Sequence, residues 1–409
     1  MGTWLTSAEH ERWLYHHGLA LLAFGRRTTE GLPTGGGAWL RDDGSPDQSQ
    51  PLLTWLTSRT VHVYGLGTLL GVPGCPSIAE AALRGLTGPL RDTDHGGWFS
   101  SVGPDGPEAD KSCYAHAFVL LAGATGTQAG VPGARTLLDA AAAVFLDKFW
   151  DDTAGMCVDT WSTDFSVADP YRGLNANMHA VEAMLSVASL TGDTDWVARA
   201  TSVSRFVVGQ AAVNEWRIPE HFDESWTPVP EYNADQPAHQ FKPYGATVGH
   251  ALEWARLLLH LANALAPAER GELVDASVSL FDRAVGDGWA PDGAPGFVYT
   301  TDWHGTPVVA DRLHWVLAEA INTAACLYRQ TGEERFAAAY QQWWDHAATY
   351  HLDHRHGSWI HQLDSTNRPA ASVWSGKPDL YHAFQTTLVP RLPLYPMMAA
   401  ALDRPGTAR

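Results

Sequence analysis

Hydrophobic and polar residues recur along this chain at the spacing of amphipathic helices rather than at that of strands. Segments rich in alanine, leucine and glutamate follow one another, and alternating β-branched residues are scarce. Clusters of glycine and proline separate these segments every few tens of residues. The pattern therefore predicts a chain built almost entirely of helices joined by short connections.

Two kinds of connecting segment recur, which indicates a repeated structural unit. One is an aspartate- and glycine-rich loop, which we align at Asp94, Asp151 and Asp353. The other is a Thr-Gly-acid turn at residues 191–193 and again at 331–333. Repeated connections at regular spacing are typical of stacked or closed arrays of like units.

Polar or aromatic residues interrupt the apolar faces of six predicted helices at similar intervals along the chain. One member from each helix, in chain order, gives the set Trp55, Tyr114, His179, His250, Trp315 and His382. Each interval holds two helices with loops, since globular helices average about 12 residues. We therefore predict an all-α (α/α)6 barrel of six helical hairpins, forming a single domain over residues 1–409. An open helical solenoid has the same local pattern and is the structural alternative.

Composition narrows the classes of function. The formal net charge of −18, with 45% hydrophobic residues, is typical of a globular protein that phosphate backbones and anionic lipid repel. No apolar stretch reaches the ~18 residues of a membrane span, and Glu9 and Arg12 stand where a secretory signal needs an apolar run. We expect a cytoplasmic protein that binds neither nucleic acid nor membrane.

Two histidines are the strongest candidates for catalysis. His250 and Glu253 lie three residues apart on a predicted helix that follows a Pro- and Gly-containing segment, so the carboxylate could orient the imidazole. His382 follows Asp379, a good N-cap residue, and falls in the first turn of its helix. Both imidazoles are therefore expected at the mouth of a pocket.

A metal site is the competing interpretation of the histidines. His351, His354 and His356 form a cluster with Asp353 in a glycine-bounded loop, which could bind a metal. Neither an HExxH nor an EF-hand pattern is present. We therefore expect no catalytic metal and no cofactor.

Several segments resemble the N-acylglucosamine 2-epimerase superfamily. Residues 172–183, RGLNANMHAVEA, are similar to its N-x-x-x-H-x-x-E inner helix. Residues 243–254 resemble the helix of its first catalytic histidine, and residues 377–382 resemble that of the second. Within the superfamily, residues 55–59 and 311–319 are most similar to the mannose isomerase and sulfoquinovose isomerase branch. The resemblance extends over almost the whole chain.

The resemblance implies an (α/α)6 barrel and cofactor-free interconversion of an aldose and a ketose, with His250 and His382 as the acid–base pair. It also implies that Arg59, Asn175, His179, Glu253 and Glu319 surround the sugar. To these we add Trp55 and Trp315, whose indoles could stack on a sugar ring, and Tyr114. The expected partner is a small monosaccharide.

We expect His250 to assist ring opening and His382 to move a proton between C2 and C1 through a cis-enediol, which converts D-mannose into D-fructose. Glu253 is expected to orient His250, and Glu319 to hold a sugar hydroxyl or the ring-opening protons. Arg59 and protonated His179 are expected to stabilise the enediolate.

Four other functions fit the same residues. A 2-epimerase or a sulfoquinovose isomerase of the superfamily would share the first proton abstraction. A glycoside hydrolase on the same type of barrel would use Glu253 and Glu319 as its two carboxylates. A non-catalytic sugar-binding protein would need only the aromatic residues.

Overall fold

The computed structural model describes residues 3–403, which are mostly helical. The α-helices, numbered α1 to α13 in chain order, are Ala8–Phe24, Thr54–Leu69, Cys75–Thr87, Cys113–Gln128, Ala134–Val144, Leu174–Thr191, Thr194–Val213, Val248–Ala264, Gly271–Gly288, His314–Thr331, Glu334–His346, Tyr381–Leu388 and Met398–Leu402. Helices α5 and α11 continue into π-helical turns at Phe145–Phe149 and Ala347–His351. The helical pattern read from the sequence is confirmed.

Short strands lie between the helices. Strands β1 to β14 are Leu52–Leu53, Ser101–Gly103, Gly106–Pro107, Asp110–Ser112, Trp150–Asp151, Met156–Cys157, Thr160–Ser162, Arg172–Gly173, His221–Phe222, Ala246–Thr247, Thr300–Thr301, Pro307–Val309, Arg312–Leu313 and Gln362–Leu363. Antiparallel sheets join β1-β2-β3 and β10-β11-β12, the latter with Thr247 opposite Thr300. Helices α2, α4, α6, α8 and α10 each begin directly after a strand, so strand pairing fixes where these helices start.

Burial separates two kinds of helix. Helices α2, α4, α6, α8 and α10 are buried along nearly their whole length, whereas α3, α5, α9 and α11 bury one stripe. An all-round buried helix belongs to the interior and a one-sided helix to the surface. The chain thus alternates inner and outer helices, as the hairpin prediction requires.

Helix α1 is the outer partner of α12. A Cβ atom at Gly18 would lie 2.8 Å from the Thr387 hydroxyl oxygen, so only glycine allows the two helices to approach this closely. The last inner helix is therefore covered by the first helix of the chain.

The described residues group into two compact units. Unit A comprises residues 3–21, Ser204–Lys377 and His382–Tyr395. Unit B comprises Leu22–Val203, Pro378–Tyr381 and residues 396–403. Each unit has its own buried helices, α8 and α10 in unit A and α2, α4 and α6 in unit B. The single-domain organisation stays a prediction.

The recurring aspartate loop is present in the structure, but its first copy begins two residues before the aspartate expected from the sequence. Oδ1 of Asp151 accepts hydrogen bonds from the backbone two and three residues ahead, and Asp353 does the same. The equivalent residue of the first copy is Asp92, not Asp94. In two copies a buried lysine then pairs with the aspartate, Lys111 with Asp92 at 2.7 Å and Lys377 with Asp353 at 2.6 Å.

Within residues 3–403, none of the helices combines the length and apolarity that crossing a bilayer requires. All four cysteines are buried and outside disulfides.

Candidate active site

His250 lies in the first turn of α8, as its position after the Pro- and Gly-containing segment predicted. Its side chain is nearly buried, and Nδ1 lies 3.0 Å from Oε1 of Glu220. Glu220 directly precedes β9 and is itself buried. A carboxylate against Nδ1 favours the tautomer with a proton on that nitrogen and leaves Nε2 on the opposite side of the ring.

Glu253 does not orient His250, which corrects the expectation from their spacing. The carboxylate of Glu253 is buried, and its Oε1 lies 3.5 Å from Nη2 of Arg256 on the same helix. Arg256 is fully buried, so its charge requires anionic partners nearby. Glu253 therefore contacts Arg256, whereas the carboxylate nearest Nδ1 of His250 is that of Glu220, from a different segment.

His382 has the second carboxylate partner. Its Nδ1 donates a 2.9 Å hydrogen bond to Oε1 of Glu319, and Oε2 of Glu319 accepts one of 2.7 Å from Nε of Arg256. Burial alone would raise the pKa of Glu319, but the charge of Arg256 and the hydrogen bond from His382 outweigh it and lower the pKa to about 2. Glu319, which is expected to hold a sugar hydroxyl or the ring-opening protons, bonds His382 with one oxygen and Arg256 with the other.

Trp315 packs against both histidines. Its ring centre lies 5.3 Å from that of His250 and 5.8 Å from that of His382, with both imidazoles tilted by nearly the same angle. A Cβ atom at position 249 would clash with the indole, so Gly249 permits this packing. The two predicted catalytic imidazoles thus converge on one partly exposed indole within unit A.

Arg59 organises a separate cluster in unit B. Its guanidinium donates to Asp379 at 3.0 Å and to the Tyr114 hydroxyl at 3.1 Å. It also lies over the rings of Trp55 and Tyr381, at 5.0 and 4.5 Å from their centres. Burial would lower the pKa of Arg59, but Tyr114 and Asp379 outweigh that effect and raise it. The buried charge of Arg59 is thus paired with Asp379 and hydrogen-bonded to Tyr114.

His179 belongs to the same cluster. Its ring centre lies 5.2 Å from that of Tyr114, and its Nδ1 lies 3.6 Å from Oε2 of Glu182. Glu182 also accepts a hydrogen bond from the Tyr381 hydroxyl. Asn175 lies partly exposed in the first turn of α6. Trp55, Arg59, Tyr114 and His179 therefore come together, as their shared helical phase predicted.

Sequence reasoning missed Glu220 and Arg256. Glu220 lies in a non-helical segment, where no periodicity marks it. Arg256 follows Glu253 by three residues on α8, and this spacing could have revealed it as the partner of that carboxylate.

The histidine-rich loop does not assemble a metal site. Nδ1 of His351 donates to the Ile360 carbonyl, and Asp353 is paired with Lys377. In unit A, Glu253, Glu319 and His382 each offer a ligand atom within 4.8 Å of the others. Arg256 contacts both of these carboxylates and supplies one positive charge beside them.

The sequence matches the model of the N-acylglucosamine 2-epimerase (GlcNAc 2-epimerase) family over residues 35–386. The chain belongs to this family, which confirms the resemblance seen in its motifs.

Individual relatives show which members of this family the chain is similar to. The chain is 48% identical over 410 residues to D-mannose isomerase of Thermobifida fusca, covering 99% of this chain and 100% of the relative. It is 43% identical over 404 residues to D-mannose isomerase of Pseudomonas cannabina pv. alisalensis, covering 98% and 97%. A crystal structure of D-mannose isomerase superposes with a TM-score of 0.86 at 26% identity, covering 94% of this chain and 98% of that one. The (α/α)6 fold class and the prediction of an isomerase are confirmed.

Proposed function

We propose that this protein is an aldose–ketose isomerase that interconverts D-mannose and D-fructose without a metal. The observation that carries the proposal is the pair of imidazoles on Trp315, each with a carboxylate at Nδ1. The identity of 48% to a D-mannose isomerase over the full chain supports the choice of sugar. We further propose a cytoplasmic location, which suits four cysteines outside disulfides.

In the proposed first step, His250 opens the sugar ring. Its Nε2 gives a proton to the ring oxygen while the bond between that oxygen and C1 breaks. The C1 hydroxyl loses its proton to solvent and becomes the aldehyde carbonyl, and solvent returns a proton to His250. The carboxylate of Glu220, 3.0 Å from Nδ1, stabilises the protonated imidazole.

In the proposed second step, His382 moves hydrogen between adjacent carbons. Nε2 removes the proton from C2, and the electron pair of that bond forms the C1–C2 double bond of a cis-enediol. The O2 proton passes to O1, and His382 returns its proton to C1, which yields the ketose. Glu319 stabilises the imidazolium in between, and Arg256 keeps Glu319 ionised. Proton transfer by a placed histidine contributes about 10²–10⁴-fold.

We also propose that the remaining predicted sugar-binding residues contact the substrate. Trp55, Arg59, Tyr114, Asn175 and His179 would bind sugar hydroxyls or stabilise the enediolate, and Trp315 would stack on the sugar. Single replacements that raise KM for mannose would support these roles.

Incubation with D-mannose in heavy water tests the proposal. An isomerase releases fructose, with deuterium at C1 wherever the proton held by His382 has exchanged with solvent, whereas an epimerase releases glucose, with any deuterium at C2. His382→Gln should abolish turnover, and His304→Ala, at an exposed histidine, should leave it unchanged. Turnover by the His382 variant, or no product from mannose, would contradict the proposal.

A further inference from the structure

Two buried amides follow the members of the His382–Glu319 pair by three residues on the same two helices. Asn322 on α10 and Gln385 on α12 are both fully buried, with no exposed side-chain surface. Neither the oxygen nor the nitrogen of either amide has a hydrogen-bond partner among the protein groups. Each amide offers two N–H donors and an oxygen acceptor, and leaving them unmatched in the interior is costly.

Their position follows from helical geometry. Helices α10 and α12 run in parallel, since His314 lies near His382 at their starts and Arg329 donates to the Val389 carbonyl at their ends. Asn322 follows Glu319 by three residues, and Gln385 follows His382 by three. Three residues advance a helix by about 4.5 Å on nearly the same face. Both amides thus point one turn deeper than the hydrogen bond between His382 and Glu319.

Glu319 has hydrogen-bonding capacity left on the same buried carboxylate. Each of its oxygens accepts one bond from the protein, from His382 and from Arg256. A carboxylate oxygen accepts about two. Donors placed one turn below could fill that capacity, but neither amide bonds Glu319 directly. A molecule that both donates and accepts is needed, and it must fit a site without exposed surface.

We propose that Asn322 and Gln385 hold internal water beneath the His382–Glu319 pair, and that this water fixes Glu319 so that His382 is positioned for proton transfer. Buried water typically makes about three hydrogen bonds to otherwise unmatched polar groups. The two amides are positioning residues, because they act through Glu319. The hydration follows from the amides alone, whereas the effect on turnover rests on the proposed isomerase function.

Paired variants test the proposal. Asn322→Leu and Gln385→Met replace each amide by an apolar side chain of similar size, which removes the groups that would hold water. Thr323→Val and Thr386→Val are matched controls at the neighbouring buried positions, where the hydroxyls already donate to backbone carbonyls. A high-resolution crystal structure of the unaltered protein, the Nδ1–H proton resonance of His382, and kcat and KM for mannose are measured.

We expect ordered water bonded to both amides in the unaltered protein. In the two amide variants we expect a shifted Nδ1–H resonance and a fall in kcat of about tenfold, the scale of groups that support a reacting histidine. KM and both threonine controls should stay unchanged. Amides without ordered water in the crystal, or variants that keep both kcat and the resonance, would overturn the proposal. If the unaltered protein fails to convert mannose, the crystal structure and the His382 resonance still test whether the two amides hold water beneath the His382–Glu319 pair.

Discussion

Nδ1 of His382 lies 2.9 Å from Oε1 of Glu319, on a carboxylate whose other oxygen is held by Arg256. Through these contacts, the buried Arg256 holds the carboxylate that bonds His382, the proposed base. It also explains why Glu319 can stay ionised without exposure to water, since Arg256 supplies a compensating charge.

Glu319→Gln should lower kcat by about 10- to 100-fold, because an amide cannot stabilise the imidazolium as a carboxylate does. Arg256 loses a counter-charge in the same variant, and breaking a buried ion pair costs up to about 3–5 kcal/mol. Steady-state kinetics and the melting temperature measure the two effects. Glu334→Gln, at an exposed position on α11, is the control; equal activity in the two variants would contradict the role of Glu319.

Glu220→Gln should slow ring opening, because His250 loses the anion that stabilises its protonated form. Ring opening is measured directly by NMR exchange between the mannose anomers in the presence of enzyme. We expect a fall of about 10- to 100-fold in this exchange, the range seen for groups that orient a histidine. An anomer exchange rate equal to that of the unaltered enzyme would assign ring opening to another residue.

Gly249→Ala should reduce turnover at least about tenfold, since the new methyl group clashes with the Trp315 indole that both imidazoles contact. Gly286→Ala is the matched control, because a Cβ atom there meets nothing within 4 Å. That control should keep its activity and gain about 0.5–1 kcal/mol of helix stability. An active Gly249 variant would show that the indole is free to move.

Acid should destabilise the fold through two buried histidines. Burial lowers the pKa of His116 to about 3 and that of His351 to about 4, from 6.5. Nε2 of His116 accepts a hydrogen bond from the Trp98 backbone, which protonation would remove. Their contribution is complete above pH of about 6.5, the ordinary pKa that the unfolded chain regains. It is lost progressively as the pH falls from 6.5 towards the folded pKa values, by about 3 kcal/mol each at pH 4.5. Urea unfolding between pH 7.5 and 4.5 measures it; a constant unfolding free energy would contradict it.

Exhaustive chelation should leave activity unchanged, because Arg256 already places a positive charge against Glu253 and Glu319. Mannose turnover before and after treatment with a strong chelator measures this. A loss that added divalent metal restores would show that the three ligand atoms near His382 bind an ion.

Helical periodicity predicted the parts of the fold and site that depend on local spacing. The starts of α8 and α12 followed from the residues before His250 and His382, and the shared phase of Trp55, Arg59 and Tyr114 placed them in one cluster. These relationships are readable because side chains three or four residues apart share a helix face.

Partners from distant or non-helical segments could not be read from spacing. Glu220 reaches His250 from the segment before β9, and Asp379 reaches Arg59 across 320 residues. Neither has a periodic signal, and both contacts depend on packing that forms only in the folded chain. The choice of Glu253 as the partner of His250 was wrong for this reason, because the carboxylate at Nδ1 of His250 comes from Glu220.

The short strands that precede the inner helices also matter for engineering. Pairing of β10 with β11 holds the start of α8 in place, while the turn that connects β11 to β12 lies at the surface. Surface turns of this kind are open to grafting, since their length and composition can change while the first helical turn keeps its position. The architecture therefore suits loop exchange at this turn, with the first turn of α8 and the proposed catalytic His250 left in place.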